Sequence, residues 1–189
     1  MRGEFFQRRV VLDAGHGGKD CGALGEYSKE KELNLIFSNK LFDILEQDIR
    51  FLPLLTRDSD KYVTLSDRVL FAIEQDAHVF ISIHCNAFIS SKPNDCQIYY
   101  NDESKDKPLA ESLFTYVDKI DHNTSKWSRE IYGNFFVLRK LRMEPMSAVL
   151  VEIGFLSNDK DEELLNSPEF QEKFCNGLYD GLKAFFNVK

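Results

Sequence analysis

Apolar and polar positions along the 189-residue chain alternate between short unbroken runs and longer periodic stretches. Val10 to Leu12 is a β-branched run that stops abruptly at Asp13-Ala14-Gly15-His16-Gly17-Gly18, the pattern of a buried strand entering a turn. Val79-Phe80-Ile81-Ser82-Ile83 repeats that design and ends in His84-Cys85-Asn86-Ala87. A third near-continuous run, Ala148 to Phe155, is broken by a single carboxylate, Glu152. Residues 51–56 predict a further strand, and Pro53 inside it places that strand near a sheet edge. Gln97–Tyr100 and residues 134–139 are shorter strand candidates.

Between these runs the apolar positions recur at three and four residues. Leu33, Phe37, Leu41 and Ile44 predict a helix over 29–47, with Ser28 as its N-cap. Leu65, Val69, Ala72 and Ile73 form a second stripe, started by Thr64 in the T-x-x-D sequence Thr64-Leu65-Ser66-Asp67. Leu109, Leu113, Val117 and Ile120 mark a third helix. Phe170, Phe174, Leu178 and Phe185 mark a last one, capped at Ser167 with Pro168 in its first position. Residues 123–133 read as a loop, and its Trp127 and Tyr132 either line a groove or pack the loop onto the body.

Size and composition suit one domain spanning 1–189, with residues 1–8 as a linker remnant. Hydrophobic residues make up 43% and charged residues 29%, and 24 Lys plus Arg face 31 Asp plus Glu for a net charge of −7. No basic cluster suggests nucleic acid. No apolar run approaches the roughly 20 residues of a membrane span. The first eight residues are too short and polar to be a complete signal peptide, so the leader of an exported protein would lie outside this sequence. Cys21, Cys85, Cys96 and Cys175 form no C-x-x-C pair, which excludes the common zinc-ribbon and thioredoxin patterns. Two disulfides and four buried thiols both remain open.

The chemistry concentrates where the apolar runs stop. The first glycine turn fits neither phosphate-binding fingerprint. The dinucleotide pattern needs glycine where Asp20 stands, and the P-loop needs Ser or Thr after Gly18-Lys19. A phosphate site and a purely structural turn are the alternatives to reading His16 as a displayed ligand. His84 also ends a strand, and parallel neighbouring strands would bring both imidazoles to the sheet edge where open α/β sheets bind ligands. His78, at the far end of its strand, and His122, in a polar stretch, are expected to face solvent. Glu30 shares the inward face of its helix with Leu33, either seeking a cation or serving the helix N-terminus. Arg68 falls on an inward stripe, where it either braces a buried carboxylate or snorkels to water. A buried Glu152 needs a partner. Two histidines and one carboxylate make a known zinc set for hydrolases, with water in the fourth place.

Four blocks resemble the zinc-dependent N-acetylmuramoyl-L-alanine amidases, in that family's order and over nearly the whole chain. They are Val11-Leu12-Asp13-Ala14-Gly15-His16-Gly17-Gly18-Lys19-Asp20, Lys29-Glu30-Lys31-Glu32-Leu33-Asn34-Leu35, Ile81-Ser82-Ile83-His84-Cys85-Asn86-Ala87, and Val149-Leu150-Val151-Glu152-Ile153-Gly154-Phe155-Leu156-Ser157-Asn158. The resemblance implies a single α/β domain, a twisted, mainly parallel sheet flanked by helices on both faces. It implies one Zn2+ per chain held by His16, Glu30 and His84, with Glu152 as general base on a zinc-bound water and Arg68 and Asn86 in support. The implied reaction is hydrolysis of the amide between N-acetylmuramic acid and the L-alanine of the peptidoglycan stem. The implied setting is cell wall degradation by an autolysin-like monomer, periplasmic or secreted. Departures are mild: Ala14 and Cys21 replace frequent prolines, and Cys85 replaces a small residue and introduces a point of oxidation. The interval from His84 to Glu152 is filled by ordinary elements, so no plugging, autoinhibitory helix and no need of an activator are expected. A zinc carboxypeptidase acting on the far end of the stem and a non-catalytic wall-binding domain are the competing readings.

Overall fold

In a computed structural model, residues 7–118, 120 and 129–188 are described. The elements in order are β1 (Arg8–Ala14), α1 (Glu30–Glu46), β2 (Phe51–Leu55), α2 (Leu65–Glu74), β3 (Val79–Asn86), β4 (Gln97–Tyr100), α3 (Asp106–Val117), β5 (Arg129–Tyr132), α4 (Phe136–Leu141), β6 (Ser147–Phe155), α5 (Asp159–Leu165) and α6 (Pro168–Phe185). The six strands form one sheet in the order β2-β1-β3-β6-β4-β5. Every pairing is parallel except β4 with β6. Pro53 lies in edge strand β2, where a missing backbone donor is tolerated.

Strand periodicity sorts the core into two layers. Val10, Leu12, Ile81, Ile83, Val149 and Val151 point to the face covered by α1, α3 and α6, where Phe37, Leu41, Leu113, Phe174 and Leu178 meet them. Val11, Phe80, Ala148 and Leu150 point to the other face, against Val69 and Ala72 of α2 and Val137, Leu138 and Leu141 of α4. The two middle parallel strands are covered on both sides, which is why their sequences are unbroken apolar runs. Burying one such Phe or Leu side chain contributes roughly 1.5–3 kcal/mol. Ser167 caps α6 by accepting from the Phe170 amide, and Pro168 sits in its first turn. Thr64 likewise caps α2 through the Asp67 amide.

Several local expectations are corrected. The N-cap of α1 is Lys29, without a side-chain cap, rather than Ser28. The carbonyls of Ala23 and Cys21 take the amides of Glu30 and Lys31 instead, so the preceding loop satisfies the helix end. Ser28 is buried and accepts from Asn166. Residues 134–139 do not form a strand: α4 occupies Phe136–Leu141, and burial at Val137, Leu138 and Leu141 follows helical spacing. Residues 129–132 of the expected loop form edge strand β5, pairing in parallel with β4. Leu65, assigned to the core stripe of α2, is 53% exposed. His78 is half-buried rather than solvent-facing, and its Nδ1 accepts from the Arg9 amide at 3.0 Å. His122 and Trp127 lie outside the described residues. The four cysteines are free thiols. Cys85 is buried in the α1 face of the core, and burial pushes its pKa well up, the opposite of a reactive thiol.

Candidate metal centre

The carboxyl ends of β1, β3 and β6 lie side by side at one sheet edge. β1 runs into Gly15 and His16, whose backbone is left-handed at φ 59°. A non-glycine residue held there costs about 1–2 kcal/mol, so the turn must be fixed from outside. Two buried guanidinium groups do this. Arg68 donates from Nη1 to the Ala14 carbonyl and from Nη2 to the His16 carbonyl, at 2.6 and 2.7 Å. Arg57 donates from Nε to the Ala14 carbonyl and from Nη2 to the Gly15 carbonyl, both at 2.8 Å. The carboxylate partner expected for Arg68 is Asp13, 2.6 Å away and 1% exposed, which also accepts from Thr56 and Ser82 hydroxyls.

Glu30 opens α1 beneath this turn, and His84 lies beside it, two residues before the end of β3. Glu30 Oε2 lies 3.1 Å from His16 Nε2, and Glu30 Oε1 lies 2.8 Å from His84 Nδ1. The two imidazoles meet edge to face with centroids 5.0 Å apart. One donor atom from each of His16, Glu30 and His84 lies within 4.8 Å of the others. Glu30 is further oriented by the Ala23 amide at 2.7 Å and by Asn34 Nδ2 at 3.2 Å. Asp20 Oδ2 sits 2.9 Å from His16 Nδ1 and so fixes which ring nitrogen faces Glu30. Burial disfavours charge on Glu30, yet the hydrogen bonds from both histidines hold its carboxyl well below the ordinary range. Burial also opposes protonation of His16, but Glu30 and Asp20 outweigh it and lift its pKa to about 9. Anionic and imidazole donors gathered this tightly make a site that strongly favours positive charge at its centre.

Glu152 stands opposite His84 in the β3–β6 register. Its side chain is buried and its Oε2 has no hydrogen-bond partner among the described residues. Burial pushes its pKa up to about 7, and the nearby His84 only partly offsets that. A carboxyl poised near neutrality is suited to accept and return a proton. Among the described residues Asn86 makes no hydrogen bond to the three donors. Its Nδ2 donates to Gln97 Oε1 at 3.3 Å, and Gln97 pairs with Glu152 across β4 and β6. The other side of the centre opens into a cleft walled by Tyr62, Val63, Leu65, Phe135 and Phe136.

Sequence reasoning thus named four residues that the fold brings to one edge, and one buried arginine whose acidic partner it expected but did not identify. It missed Arg57, although an arginine two residues past the end of a strand invites the same argument as a histidine there. It also missed α5, whose Glu162 accepts the amides of Glu26 and Tyr27 at 2.9 and 3.0 Å and ties down the loop ahead of Glu30.

The donor set is that of zinc hydrolases: two imidazoles and one carboxylate, with a further carboxyl alongside. An open α/β sheet with such a group at its carboxyl edge defines a metallohydrolase-like architecture. Comparison with known proteins makes this specific. The Amidase_3 family model, described as N-acetylmuramoyl-L-alanine amidase, matches residues 10–184, and the chain belongs to that family. It is 37% identical over 183 residues to the probable cell wall amidase LytH of Staphylococcus saprophyticus, covering 95% of this chain but 59% of that protein's length. The catalytic domain of CwlV, an N-acetylmuramoyl-L-alanine amidase from Bacillus (Paenibacillus) polymyxa, superposes with a TM-score of 0.89 at 38% identity, covering 97% of this chain and all of that one. The CwlD amidase of Clostridioides difficile, solved in complex with the GerS lipoprotein, superposes with a TM-score of 0.88 at 29% identity, over 97% of this chain and 100% of that one.

Proposed function

We propose that this chain is a zinc-dependent N-acetylmuramoyl-L-alanine amidase that cleaves the bond between the lactyl group of N-acetylmuramic acid and the L-alanine of the peptidoglycan stem. The observation that carries the reading is the convergence of His16, Glu30 and His84 within 4.8 Å, with Glu152 next to His84 in register. His16, Glu30 and His84 would hold the ion. Bound zinc supplies Lewis acidity to a carbonyl and lowers the pKa of water towards 7. Glu152 takes a proton from the attacking water and passes it to the alanine nitrogen as the amide breaks, so the products are a carboxylate and a free amino group. Its unpartnered Oε2 supports that role. Asn86 and Gln97 bear on Glu152 from the neighbouring strands, and Arg68 on the turn that carries His16.

All four groups come from one chain, which supports action as a monomer. Of the described elements between His84 and Glu152, α3 packs on α6 and α4 on α2, which supports a site that needs no activator to uncover it. The names of the relatives support a place in the cell envelope, periplasmic or extracellular. No helix among the described residues is long and apolar enough to cross a membrane.

Metal analysis of the purified protein, with peptidoglycan digestion before and after chelation, tests the reading. One zinc per chain, loss of digestion on chelation and a new L-alanine amino terminus are expected. Release of a terminal amino acid would instead identify a carboxypeptidase. Glu152→Gln should abolish turnover while leaving zinc bound, and unchanged activity would remove Glu152 from the reaction.

A further inference from the structure

We infer that Arg57 is the positioning residue that sets the spacing between His16 and Glu30, and through it the affinity of the centre for its ion. This rests on the metal-site reading above. Arg57 is fully buried, with 0% of its surface exposed. Among the described residues its hydrogen-bond acceptors are all backbone carbonyls, none of them a carboxylate. Nε donates to Ala14 at 2.8 Å, Nη2 to both Gly15 and Lys31 at 2.8 Å, and Nη1 to Ser59 at 3.2 Å. Gly15 directly precedes His16, and Lys31 directly follows Glu30. One terminal nitrogen therefore bridges the strand-end turn that carries one donor to the first helical turn that carries another.

The chemistry requires this fork. Arginine holds its donors in one rigid plane, so the Nε bond to Ala14 fixes where Nη2 sits and hence where the Gly15 and Lys31 carbonyls it binds must lie. A lysine keeps the charge but concentrates its donors at one flexible point. Arg68 does not duplicate the bridge. It donates to Ala14, His16 and Val63 and makes no hydrogen bond to α1 among the described residues. Asn34 reaches from α1 to the Gly15 carbonyl, at 3.2 Å, but as a neutral amide with a longer bond. The site is also built to fit: a Cβ on Gly17 would come within 3.0 Å of Arg57 Nε and closer still to the Lys61 carbonyl, so the turn is packed onto the guanidinium.

The test is chelator-competition measurement of the zinc dissociation constant in the intact chain, for wild type, Arg57→Lys and Arg57→Met, with thermal unfolding of the same samples after metal removal. Outer groups that orient ligands typically account for 10–100-fold in metal affinity. Arg57→Lys is expected to stay folded and bind zinc roughly 10–100-fold more weakly, and Arg57→Met to weaken binding at least as much. Lys105→Met is the control. Lys105 holds the carbonyls of Leu141 and Met146 and touches none of the site residues, so its loss should lower the melting temperature without changing zinc affinity. If Arg57→Lys binds zinc like wild type, the inference is overturned. If Arg57→Met does not fold, Arg57→Lys still decides, and if both variants unfold at 20 °C Arg57 is a stability element and the inference fails. Wild type that binds no zinc would overturn the metal-site reading itself, a separate outcome.

Discussion

Gly15→Ala should disable the centre while leaving the fold largely intact. A Cβ at this position would lie 2.6 Å from His84 Nδ1 and nearer still to Cε1 and Nε2. Carbon contacts settle at about 3.5–4.0 Å, so the imidazole must retreat by about 1 Å. Its Nδ1 is 2.8 Å from Glu30 Oε1, and that retreat breaks the bond. A misplacement of about 1 Å in a catalytic arrangement can cost on the order of 100-fold, equal to about 2.7 kcal/mol of barrier. The overpacking itself should destabilise the fold by about 1–3 kcal/mol. Release of soluble muropeptides from purified peptidoglycan, with zinc affinity and urea unfolding on the same samples, measures both quantities. Gly181→Ala is the matched control, because its Cβ would meet Leu113 Cα at 2.8 Å between α3 and α6, far from the site. Gly181→Ala should lose stability with turnover retained. Should Gly15→Ala digest peptidoglycan at the wild-type rate, the claim that this glycine exists to admit His84 is wrong.

Asp13→Ala leaves Arg68 buried without its carboxylate, so it should destabilise the protein by about 3–5 kcal/mol in urea unfolding. Adding Arg68→Met should recover part of that loss, and simple additivity of the two would argue against coupling. Acid sensitivity should trace in part to Asp48, whose carboxyl is held at about 2 by the Arg50 guanidinium and whose side chain is 10% exposed. A depressed carboxyl stabilises the fold fully above its unfolded pKa, near 4, and that contribution shrinks as pH falls below it and is lost through and below about 2. Asp48→Asn should therefore be less stable than wild type by about 1–2 kcal/mol at pH 6, with the gap narrowed to less than half of that by about pH 2.5. A gap that stays constant over that range would assign the stability to packing rather than charge.

The parts of this fold that could be read from sequence were those where one physical demand dominates. Buried parallel strands must be apolar throughout, so the interruptions at His84 and Glu152 stood out at once. Helices with one covered face show it in their spacing, as α6 does with Phe174 and Leu178. What could not be read depended on contacts between distant segments. The start of α1 is satisfied by carbonyls of Cys21 and Ala23 in a folded-back loop, which no capping rule anticipates. Phe136, Val137 and Leu138 form an apolar run equally compatible with strand and helix, and only packing against Val11, Phe80 and Leu150 decides it. Arg57 escaped notice because its acceptors are backbone carbonyls, which leave no trace in residue identity. In composition Glu162 is one acid among several in α5, yet its depth and its two amide donors make it structural.

The three donors of the centre come from a turn, a helix and a strand separated by as many as 68 positions, from 16 to 84. An unfolded chain therefore offers an ion only scattered side chains, and tight capture waits until β1, α1 and β3 have docked. By mass action, an ion at a thousand times its dissociation constant adds about 4 kcal/mol to the native state alone. On the metal-site reading proposed above, metal supply would act as a thermodynamic bias on maturation: chains that complete the sheet would gain the binding energy, and those that stall before β3 docks would not.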